Sequence, residues 1–361
     1  MEVVRHLGER VAVSAIAANS NIDLLEQQAR EFSPEIIGVF DLDKASELRK
    51  RLPGFNVLGG MDALKAVATC SSADMVISAI VGTAGLIPTM AAIEAGKHIG
   101  LANKEVLVSA GALITGLARE KGVDLVPIDS EHNAIFQCLQ GENKATVRRI
   151  ILTASGGPFR DFSYEQLQSI SVEDALNHPT WKMGPKVTVD SSTLMNKGLE
   201  MIEAHWLFNV SPDQIEVVVH RQSIIHSMVE FQDGSIIAQM NEPDMINPIQ
   251  HAITFPERMQ GMFKPFDFSR HTTLNFEVPD TKKFSCLELA YQAIREGKSM
   301  PCFMNAANET LVNRFLNREF AWRELAGKLE SLMLRHQSQD LQSLDSVLEI
   351  DKLARMEAKT A

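Results

Sequence analysis

Closely spaced cysteines are absent from this chain. Its 361 residues include four scattered cysteines and no C-x-x-C motif, which favours a reduced, cytoplasmic protein over a disulfide-stabilised secreted one. The first residues lack the basic and apolar regions of a signal peptide, so we expect no secretion. No run of lysine and arginine longer than the three residues 49–51 occurs, and with a formal net charge of −11 we expect no nucleic-acid partner.

A long, unbroken apolar segment is missing as well. Residues 75–93 carry no charge, but Gly82, Gly85 and Pro88 interrupt them. We therefore predict a buried strand, a turn and a helix with Pro88 in its first turn, rather than a membrane-spanning helix. The composition, 45% hydrophobic and 22% charged, is that of a globular protein, and the length predicts two or three domains.

Short apolar segments alternate with helical patterns in the first part of the chain, which is typical of a parallel sheet with crossover helices. The predicted strands are residues 11–17, 36–41, 75–81, 98–102 and 124–128. Helical stretches such as residues 22–32 and 105–121 lie between them. This α/β pattern predicts a Rossmann-like dinucleotide-binding domain over residues 1–129, with ligands at the carboxyl ends of its strands.

The first strand and the glycine-rich loop of such a domain are missing. No G-x-G-x-x-G occurs, and the chain begins with a helical pattern at Val3, Val4 and Leu7. Because the first strand of this topology is central, its absence would leave unpaired backbone groups inside the sheet. We therefore expect the natural protein to continue upstream of Met1.

An α+β catalytic domain is predicted over residues 130–266. Its strand-like segments are residues 150–153, 215–220, 224–231 and 235–240. An Asp-Gly pair between the last two segments is a strong hairpin signal. Residues 267–283 are polar and irregular, as a linker would be, and residues 284–361 have the helical pattern of a small C-terminal bundle.

Two carboxylates follow the fifth predicted strand. Asp129 and Glu131 are separated by Ser130 alone, and we expect both acids to point into the ligand crevice. Carboxylate oxygens there suit a hard divalent cation such as Mg²⁺ or Mn²⁺. The alternative is that Asp129 or Ser130 merely caps the helix that follows.

A second polar segment, residues 190–200, favours the metal interpretation. If it is helical, Asn196, Lys197 and Glu200 share one face. Ser191 or Ser192 would be the N-cap, and the first backbone N–H groups of the helix would be free to bind an anion. An amide, an ammonium and a carboxylate together suit a phosphate beside a metal. The apolar side of this helix would be Met195, Leu199 and Ile202. The alternative is an exposed helix face with a Lys–Glu pair.

Two further segments could contact a substrate. Glycines at 156 and 157 let the backbone approach a ligand closely, and Ser155 offers a hydroxyl to a phosphate; an ordinary Gly-Pro turn is equally compatible with the spacing. Residues 178–184 contain His178 and Trp181, lack periodicity and resemble a mobile lid. A buried structural tryptophan is the competing interpretation.

Polar residues also follow two other predicted strands. Lys104 lies after the strand that precedes the acidic one, where it could stabilise an oxyanion, although a solvated lysine at a helix start would look the same. Asn19, Ser20 and Asn21 follow the first predicted strand without an acidic residue. An acid there would bind the ribose of NAD, so its absence favours NADP.

Taken together, the motifs resemble those of the 1-deoxy-D-xylulose 5-phosphate reductoisomerase family. The stronger matches are A-N-K-E at 102–105, D-S-E-H-N-A-I-F-Q at 129–137, S-G-G-P-F-R at 155–160 and M-N-K-G-L-E at 195–200. Others are H-P-x-W-x-M-G at 178–184, I-H-S-M at 225–228, E-P-D-M at 242–245 and N-A-A-N-E at 305–309. The matches run in order from near Met1 to near the C-terminus.

The resemblance implies an activity and a set of ligands. A homodimer would use NADPH and a divalent cation (Mn²⁺, Mg²⁺ or Co²⁺) to convert a sugar phosphate, 1-deoxy-D-xylulose 5-phosphate, into 2-C-methyl-D-erythrose 4-phosphate in the non-mevalonate isoprenoid pathway. The implied metal ligands are Asp129, Glu131 and Glu200. The implied catalytic residues are Lys104, Glu131 and His178.

The same resemblance assigns the binding residues. Those implied for the phosphate are Ser155, Ser191, Asn196 and Lys197. Ser130 would contact the reacting end of the substrate, and His178, Trp181 and Met183 would belong to the lid. Those implied for the cofactor are Asn103, Glu105, Gly184 and Met245, with Asn19, Ser20 and Asn21 near its 2′-phosphate.

The sequence departs from the family pattern in two places. The glycine-rich turn of G-S-T-G-S-I-G type is absent, and Asn19-Ser20-Asn21 replaces a Gly-Lys-Asn run, which removes a cation. Two rival interpretations remain at this point. One is another Rossmann-type dehydrogenase, for instance of homoserine type, and the other is a catalytically impaired sugar-phosphate-binding homologue that lacks the cofactor loop.

Overall fold

A computed structural model describes residues 1–361. Its strands are β1 (Ala15–Ala18), β2 (Ile36–Val39), β3 (Val57–Gly59), β4 (Met75–Ser78), β5 (His98–Leu101), β6 (Leu125–Pro127), β7 (Val147–Ala154), β8 (Ile215–Val219), β9 (Ile225–Phe231) and β10 (Ile236–Met240). Its helices are α1 (Glu2–Leu7), α2 (Ile22–Phe32), α3 (Leu42–Arg51), α4 (Gly60–Ala68), α5 (Leu86–Glu94), α6 (Glu105–Lys121), α7 (Ser130–Cys138), α8 (Val172–Leu176), α9 (Pro185–Thr193), α10 (Met195–Phe208), α11 (Ile246–Thr254), α12 (Cys286–Glu296), α13 (Met300–Leu316), α14 (Glu324–Met333) and α15 (Leu344–Ala358).

The chain forms two compact units. The first contains residues 1–103, 116–128 and 246–262, and the second contains residues 104–115, 129–245 and 263–361. These units differ from the predicted parts in two places: α11 packs with α1 and β6 in the first unit, and the beginning of α6 belongs to the second. The division into three domains stays a prediction.

All strands of the first unit are parallel, as the alternating pattern predicts. They form two sheets of three strands, ordered β1-β2-β3 and β4-β5-β6. Strand β3 was not predicted; it has three residues and ends in glycine, which weakens a strand pattern. In each sheet the first strand, β1 or β4, has a hydrogen-bonded neighbour on one side only.

Local sequence explains the helices of the first unit. The Asp41 side chain accepts hydrogen bonds from the Asp43 and Lys44 backbone nitrogens and so caps α3. The uncharged segment contains β4, a short 3₁₀ turn at residues 83–85 and α5, with Pro88 in the first turn of the helix. The predicted strand, turn and helix are confirmed there.

No helix is both long and apolar enough to cross a membrane.

A four-stranded sheet lies at the centre of the second unit. Its order is β10-β9-β7-β8, with β7 parallel to β8 and antiparallel to β9. The predicted Asp-Gly hairpin joins β9 to β10, and Gly234 adopts a φ of 86° in the turn. Helix α7 packs on β9 and β10, and α10 packs on β7 and β8, so this sheet supports the two helices that carry acidic residues.

Four helices, α12 to α15, follow the predicted linker, and α12 packs on α10. Helix α13 contacts α14 and α15, while α12 contacts α10. The close approach of α10 and α12 requires Gly198, because a Cβ at that position would lie 2.5 Å from the Cβ of Ala290. Within the predicted linker, Glu277 exchanges backbone hydrogen bonds of 2.8 and 2.9 Å with Val219 of β8.

Candidate metal and substrate site

Three carboxylates of the second unit converge. Asp129 follows β6 by two residues, Glu131 lies in the first turn of α7, and Glu200 lies in α10. One carboxylate oxygen from each residue falls within 4.8 Å of the others. Because hard divalent cations prefer carboxylate oxygens, this donor set fits the cation that the sequence predicts.

The helix-capping alternative for these residues is wrong. Asp129 occupies the N-cap position of α7, but its side chain makes no capping hydrogen bond. The Ser130 hydroxyl donates instead to Glu131 Oε2 at 2.7 Å. Both side chains are therefore directed to the carboxylate cluster rather than to the end of the helix.

Two buried lysines form ion pairs with the carboxylates. Lys104 Nζ lies 2.6 Å from Asp129 Oδ2 and 3.0 Å from Glu200 Oε1. Lys197 Nζ lies 2.9 Å from Glu131 Oε1 and also contacts Glu200. The alternatives of a solvated Lys104 and of an exposed Lys–Glu helix face are therefore wrong.

The pKa values of the Asp129 and Glu131 carboxyl groups are shifted in opposite directions. Burial raises the pKa of a carboxyl, but at Asp129 the Lys104 ammonium outweighs burial and holds the pKa below its usual range. Burial and the neighbouring Glu200 carboxylate raise the pKa of Glu131 to about 7, although Lys197 acts in the opposite direction. Asp129 is thus ionised at neutral pH, whereas Glu131 exchanges its proton there.

The segment predicted as one helix from residue 190 is two helices. Leu194 has a φ of 62° and separates α9 from α10, so Ser191 lies in the last turn of α9 and is not an N-cap. Neither glycine nor proline marks this break in the sequence. The predicted apolar side of α10 is confirmed, since Met195, Leu199 and Ile202 are all fully buried.

Asn196 and Lys197 both contact carboxylates in this structure. The Asn196 amide accepts a hydrogen bond of 3.0 Å from Lys104 and donates one to Glu200. Lys197 is held by Glu131 and Glu200. The structure thus places both residues beside the carboxylates, and a phosphate would have to take over part of these contacts.

The turn after β7 packs tightly against the end of α9. Gly157 has a φ of 72°, and a Cβ there would lie 2.5 Å from the Ser191 backbone oxygen. Only glycine fits this close approach without strain. The turn therefore brings Ser155 and Ser191, both predicted to bind phosphate, to the same region of the second unit.

His178 connects this turn to the predicted lid. Its Nδ1 accepts backbone hydrogen bonds from Thr180 at 3.1 Å and Trp181 at 2.9 Å. Nε2 therefore carries the proton of the neutral ring and donates to Ser155 Oγ at 3.0 Å. Burial and the Arg160 guanidinium lower the pKa of His178 to about 4, which keeps the ring neutral.

The lid segment is irregular, as predicted. Residues 177–184 lie between α8 and α9 and form neither helix nor strand. Trp181 is half-buried and its ring lies 6.4 Å from that of His226. A buried structural tryptophan is therefore wrong for this position.

The residues predicted for the cofactor have different surroundings. In the first unit, Asn103 donates through Nδ2 to the Ile80 and Gly82 carbonyl oxygens, and its buried Oδ1 has no partner. Asn19 and Ser20 are exposed, and Asn21 caps α2 by accepting from Leu24 N.

The other cofactor predictions concern the second unit. Gly184 is exposed at the start of α9, and Met245 is half-buried. Glu105 is buried and paired with Lys186 at 2.9 Å. A cofactor contact through the Glu105 carboxylate would have to replace that pair.

Known proteins are similar to this chain in sequence and in fold. A family model described as 1-deoxy-D-xylulose 5-phosphate reductoisomerase matches residues 1–111, and two models of its C-terminal domains match residues 125–208 and 240–357. The 1-deoxy-D-xylulose 5-phosphate reductoisomerase of Protochlamydia amoebophila is 61% identical, over 99% of this chain and 93% of its own length.

Two solved structures have a fold similar to that of this chain. That of 1-deoxy-D-xylulose 5-phosphate reductoisomerase from Zymomonas mobilis in complex with NADPH has a TM-score of 0.92 at 42% identity, covering 98% of this chain and 92% of the other. A DOX-P reductoisomerase in complex with NADPH, fosmidomycin and magnesium has a TM-score of 0.93 at 39% identity, covering 99% and 93%.

The chain belongs to the 1-deoxy-D-xylulose 5-phosphate reductoisomerase family. The resemblance stated from the motifs is confirmed, and a dehydrogenase of homoserine type is excluded. The α/β fold class with parallel strands is also confirmed.

The site of this reductoisomerase family member contains two charged residues that the sequence analysis did not single out. Lys186 lies 2.9 Å from both Glu105 and Asp190. The i,i+4 spacing to Asp190 is visible in the sequence, but no local signal indicates the contact with the distant Glu105. Glu203 is fully buried beside His132. Its spacing of three residues from Glu200 places it on the same helix face and could have identified it.

Proposed function

We propose that this chain uses NADPH and a divalent cation to rearrange and reduce 1-deoxy-D-xylulose 5-phosphate to 2-C-methyl-D-erythrose 4-phosphate. The observation that carries the proposal is the convergence of Asp129, Glu131 and Glu200 within 4.8 Å. Family membership supports the reaction, and relatives solved with NADPH, or with NADPH and magnesium, support the cofactors.

Asp129, Glu131 and Glu200 would hold the cation. Bound there, it supplies Lewis-acid stabilisation to neighbouring substrate oxygens. Lys104 and Ser130 lie at the same carboxylates, so the ammonium and the hydroxyl can stabilise negative charge on the reacting end of the substrate. We assign Lys104, Glu131 and His178 as catalytic residues.

Charge balance favours a phosphorylated substrate at this site. The three carboxylates and the ammonium groups of Lys104 and Lys197 together carry one formal negative charge. A divalent cation changes that sum to one positive charge, which attracts a phosphate. The cation and the sugar phosphate therefore assist each other's binding.

Ser155 is well prepared to bind that phosphate. Its Oγ accepts from His178 Nε2 at 3.0 Å and from the Gly157 backbone nitrogen at 3.2 Å. Both contacts use the oxygen lone pairs, so the hydroxyl proton remains free to donate to a phosphate oxygen. We assign Ser191, Asn196 and Lys197 to the same group, and Trp181 with His178 to the lid that closes over the substrate.

The residues we propose for NADPH are those that the family resemblance implies. The unpartnered Asn103 Oδ1 can accept a hydrogen bond from the cofactor. The exposed Asn19 and Ser20, with Asn21, are the side chains proposed for the 2′-phosphate region. Glu105, Gly184 and Met245 are the other residues that we propose to contact the cofactor.

We also propose that a further strand with a glycine-rich turn would complete the first unit by pairing with β1 and β4. Each of these strands is the edge strand of its sheet, so its free backbone groups can pair with a further strand. The turn would add backbone N–H donors for the cofactor pyrophosphate.

A homodimer in the cytoplasm is the assembly we propose. Strand β10 is an edge strand, and its Ile236 and Ile237 are 51% and 38% exposed, which suits pairing with a second copy. The four cysteines are buried free thiols, as expected for a reducing compartment. An Ile237→Lys variant should sediment as a monomer if the dimer forms through β10.

Substrate-dependent oxidation of NADPH with Mn²⁺ tests the function. It should be measured on the 361-residue chain and on a form extended by roughly twenty residues, enough for one strand and a turn. Activity only in the extended form supports the added strand. Activity in neither form, with metal and substrate still bound, would favour the catalytically impaired homologue.

A further inference from the structure

A histidine and a glutamate lie behind the carboxylate cluster, and no role has been assigned to either of them above. His132 belongs to α7, the helix of Glu131, and Glu203 belongs to α10, the helix of Glu200. Both side chains are fully buried. The two residues therefore lie where the helices that carry the metal ligands face each other.

The hydrogen bonds of His132 define its tautomer. Nε2 lies 2.8 Å from the Glu200 backbone oxygen. Because a carbonyl oxygen can only accept, Nε2 must carry a proton. The ring of His132 thus ties α7 directly to the backbone of a metal ligand on α10.

The other ring nitrogen faces Glu203. Nδ1 lies 3.4 Å from Glu203 Oε2, closer than the 4.0 Å to Asp129 Oδ2. His132 Nδ1 and both oxygens of Glu203 are buried and have no hydrogen-bond partner, although buried polar atoms are almost always satisfied. One proton between Nδ1 and Oε2 completes a hydrogen bond, whichever atom holds it.

We propose that Glu203 is a positioning residue that acts through His132. It fixes the imidazole ring, the ring fixes the Glu200 backbone, and the Glu200 carboxylate is thereby held at the right separation from Asp129 and Glu131. This role rests on the proposed metal site. The Phe208 ring stacks parallel to the imidazole at 6.4 Å, so the ring plane is already limited and Glu203 needs only to set its rotation.

Two substitutions of Glu203 distinguish the effect of its hydrogen bond from the effect of its side-chain volume. Glu203→Leu removes the contact with Nδ1, whereas Glu203→Gln keeps a donor that can reach it. Because partners that orient metal ligands are worth about ten- to a hundredfold in metal affinity, we expect Glu203→Leu to raise the Kd for Mn²⁺ by about tenfold. The Gln variant should stay within about twofold of the unmodified chain.

A control variant on the same helix distinguishes positioning from general loosening. Ile202 is fully buried on α10 and has no place in the hydrogen-bonded chain. Ile202→Val should lower the melting temperature and leave the Kd for Mn²⁺ unchanged. If Glu203→Leu does not fold, His132→Phe breaks the same connection while retaining a ring against Phe208, and it carries the same expectation.

The experiment combines two measurements on the full chain without substrate. Electron paramagnetic resonance titration with Mn²⁺ gives the Kd, and ¹⁵N NMR of histidine-labelled, metal-free protein reports the ring nitrogens of His132. We expect an Nε2-protonated ring that changes its rotation or exchange in Glu203→Leu and returns in Glu203→Gln. An unchanged Kd in Glu203→Leu, or a Gln variant as weak as the Leu variant, overturns the positioning role alone. Failure of the unmodified chain to bind Mn²⁺ overturns the metal site as well.

Discussion

The Lys197 ammonium lies 2.9 Å from the Glu131 carboxylate and joins α10 to α7 across the candidate metal site. It also contacts Glu200 on its own helix. A buried lysine between two proposed metal ligands means that side chains neutralise part of the negative charge of the metal-free site. The cation and Lys197 therefore share the same carboxylates.

Lys197→Met should destabilise the metal-free protein. The substitution leaves Glu131 and Glu200 buried without their ammonium, and breaking a buried ion pair costs about 3–5 kcal/mol. Mn²⁺ should restore part of the loss because it replaces the missing positive charge. Thermal unfolding with and without Mn²⁺ measures both effects.

Lys121→Met is the matched control for that prediction. Lys121 forms an exposed pair with Glu120 at 3.4 Å, and such pairs contribute little to stability. A loss of stability as large in the control, or no response of Lys197→Met to Mn²⁺, would contradict the shared-carboxylate interpretation.

Metal binding should weaken below neutral pH. The pKa of Glu131 is raised to about 7 by burial and Glu200, so a proton competes with the cation below that pH. The Kd for Mn²⁺ should rise by up to about tenfold per pH unit there and stay constant above it. In Glu131→Gln, binding should be weaker and should lose this pH dependence.

The same pKa shift gives the metal-free protein the opposite trend in stability. Since the folded pKa of Glu131 lies above the ordinary glutamate pKa of 4.5, the folded state binds the proton more tightly. This contribution is complete below about pH 4.5 and is lost as the pH rises to about 7. Urea unfolding across this range, compared with Glu131→Gln, isolates the contribution.

Glu200→Gln should lose turnover while the fold survives. Glu200 contacts Lys104, Lys197 and Asn196 as well as lying in the metal set. We expect kcat/KM to fall by ~100-fold or more, which corresponds to about 2.7 kcal/mol, with partial recovery at high Mn²⁺. Normal activity in a folded Glu200→Gln protein would remove Glu200 from the metal ligands.

Gly157→Ala should raise the KM for substrate. The new Cβ would meet the Ser191 backbone oxygen at 2.5 Å, and relief of that clash separates Ser155 from the end of α9. Gly141→Ala is the matched control: its φ of 81° imposes the same backbone strain, of order 1–3 kcal/mol, but nothing lies within 4 Å of its Cβ. Equal KM values in the two variants would argue against the close approach.

Local patterns predict the parts of the site that depend on a single element. Asp129 and Glu131 follow a strand directly, and the irregular segment around His178 is visible from Pro179 and Gly184. The metal set could be predicted because each ligand belongs to a short motif.

The rest depends on contacts between distant segments. The break at Leu194 uses a positive φ without glycine, so the sequence predicts one helix where there are two. The pairing of Glu105 with Lys186 joins residues 81 positions apart, and no pattern on either segment signals it. Strand β3 is three residues long and is held by its neighbour rather than by its own propensity.

The contact of Gly198 with Ala290 means that α10 and the C-terminal helices cannot be altered independently of each other. The helix that carries Glu200 has one face against the four-stranded sheet and another against α12. Exchanging or shortening the C-terminal segment would therefore change the packing of the helix that carries Glu200, although no proposed metal ligand is replaced. A change in the C-terminal helices is thus expected to affect the candidate metal site.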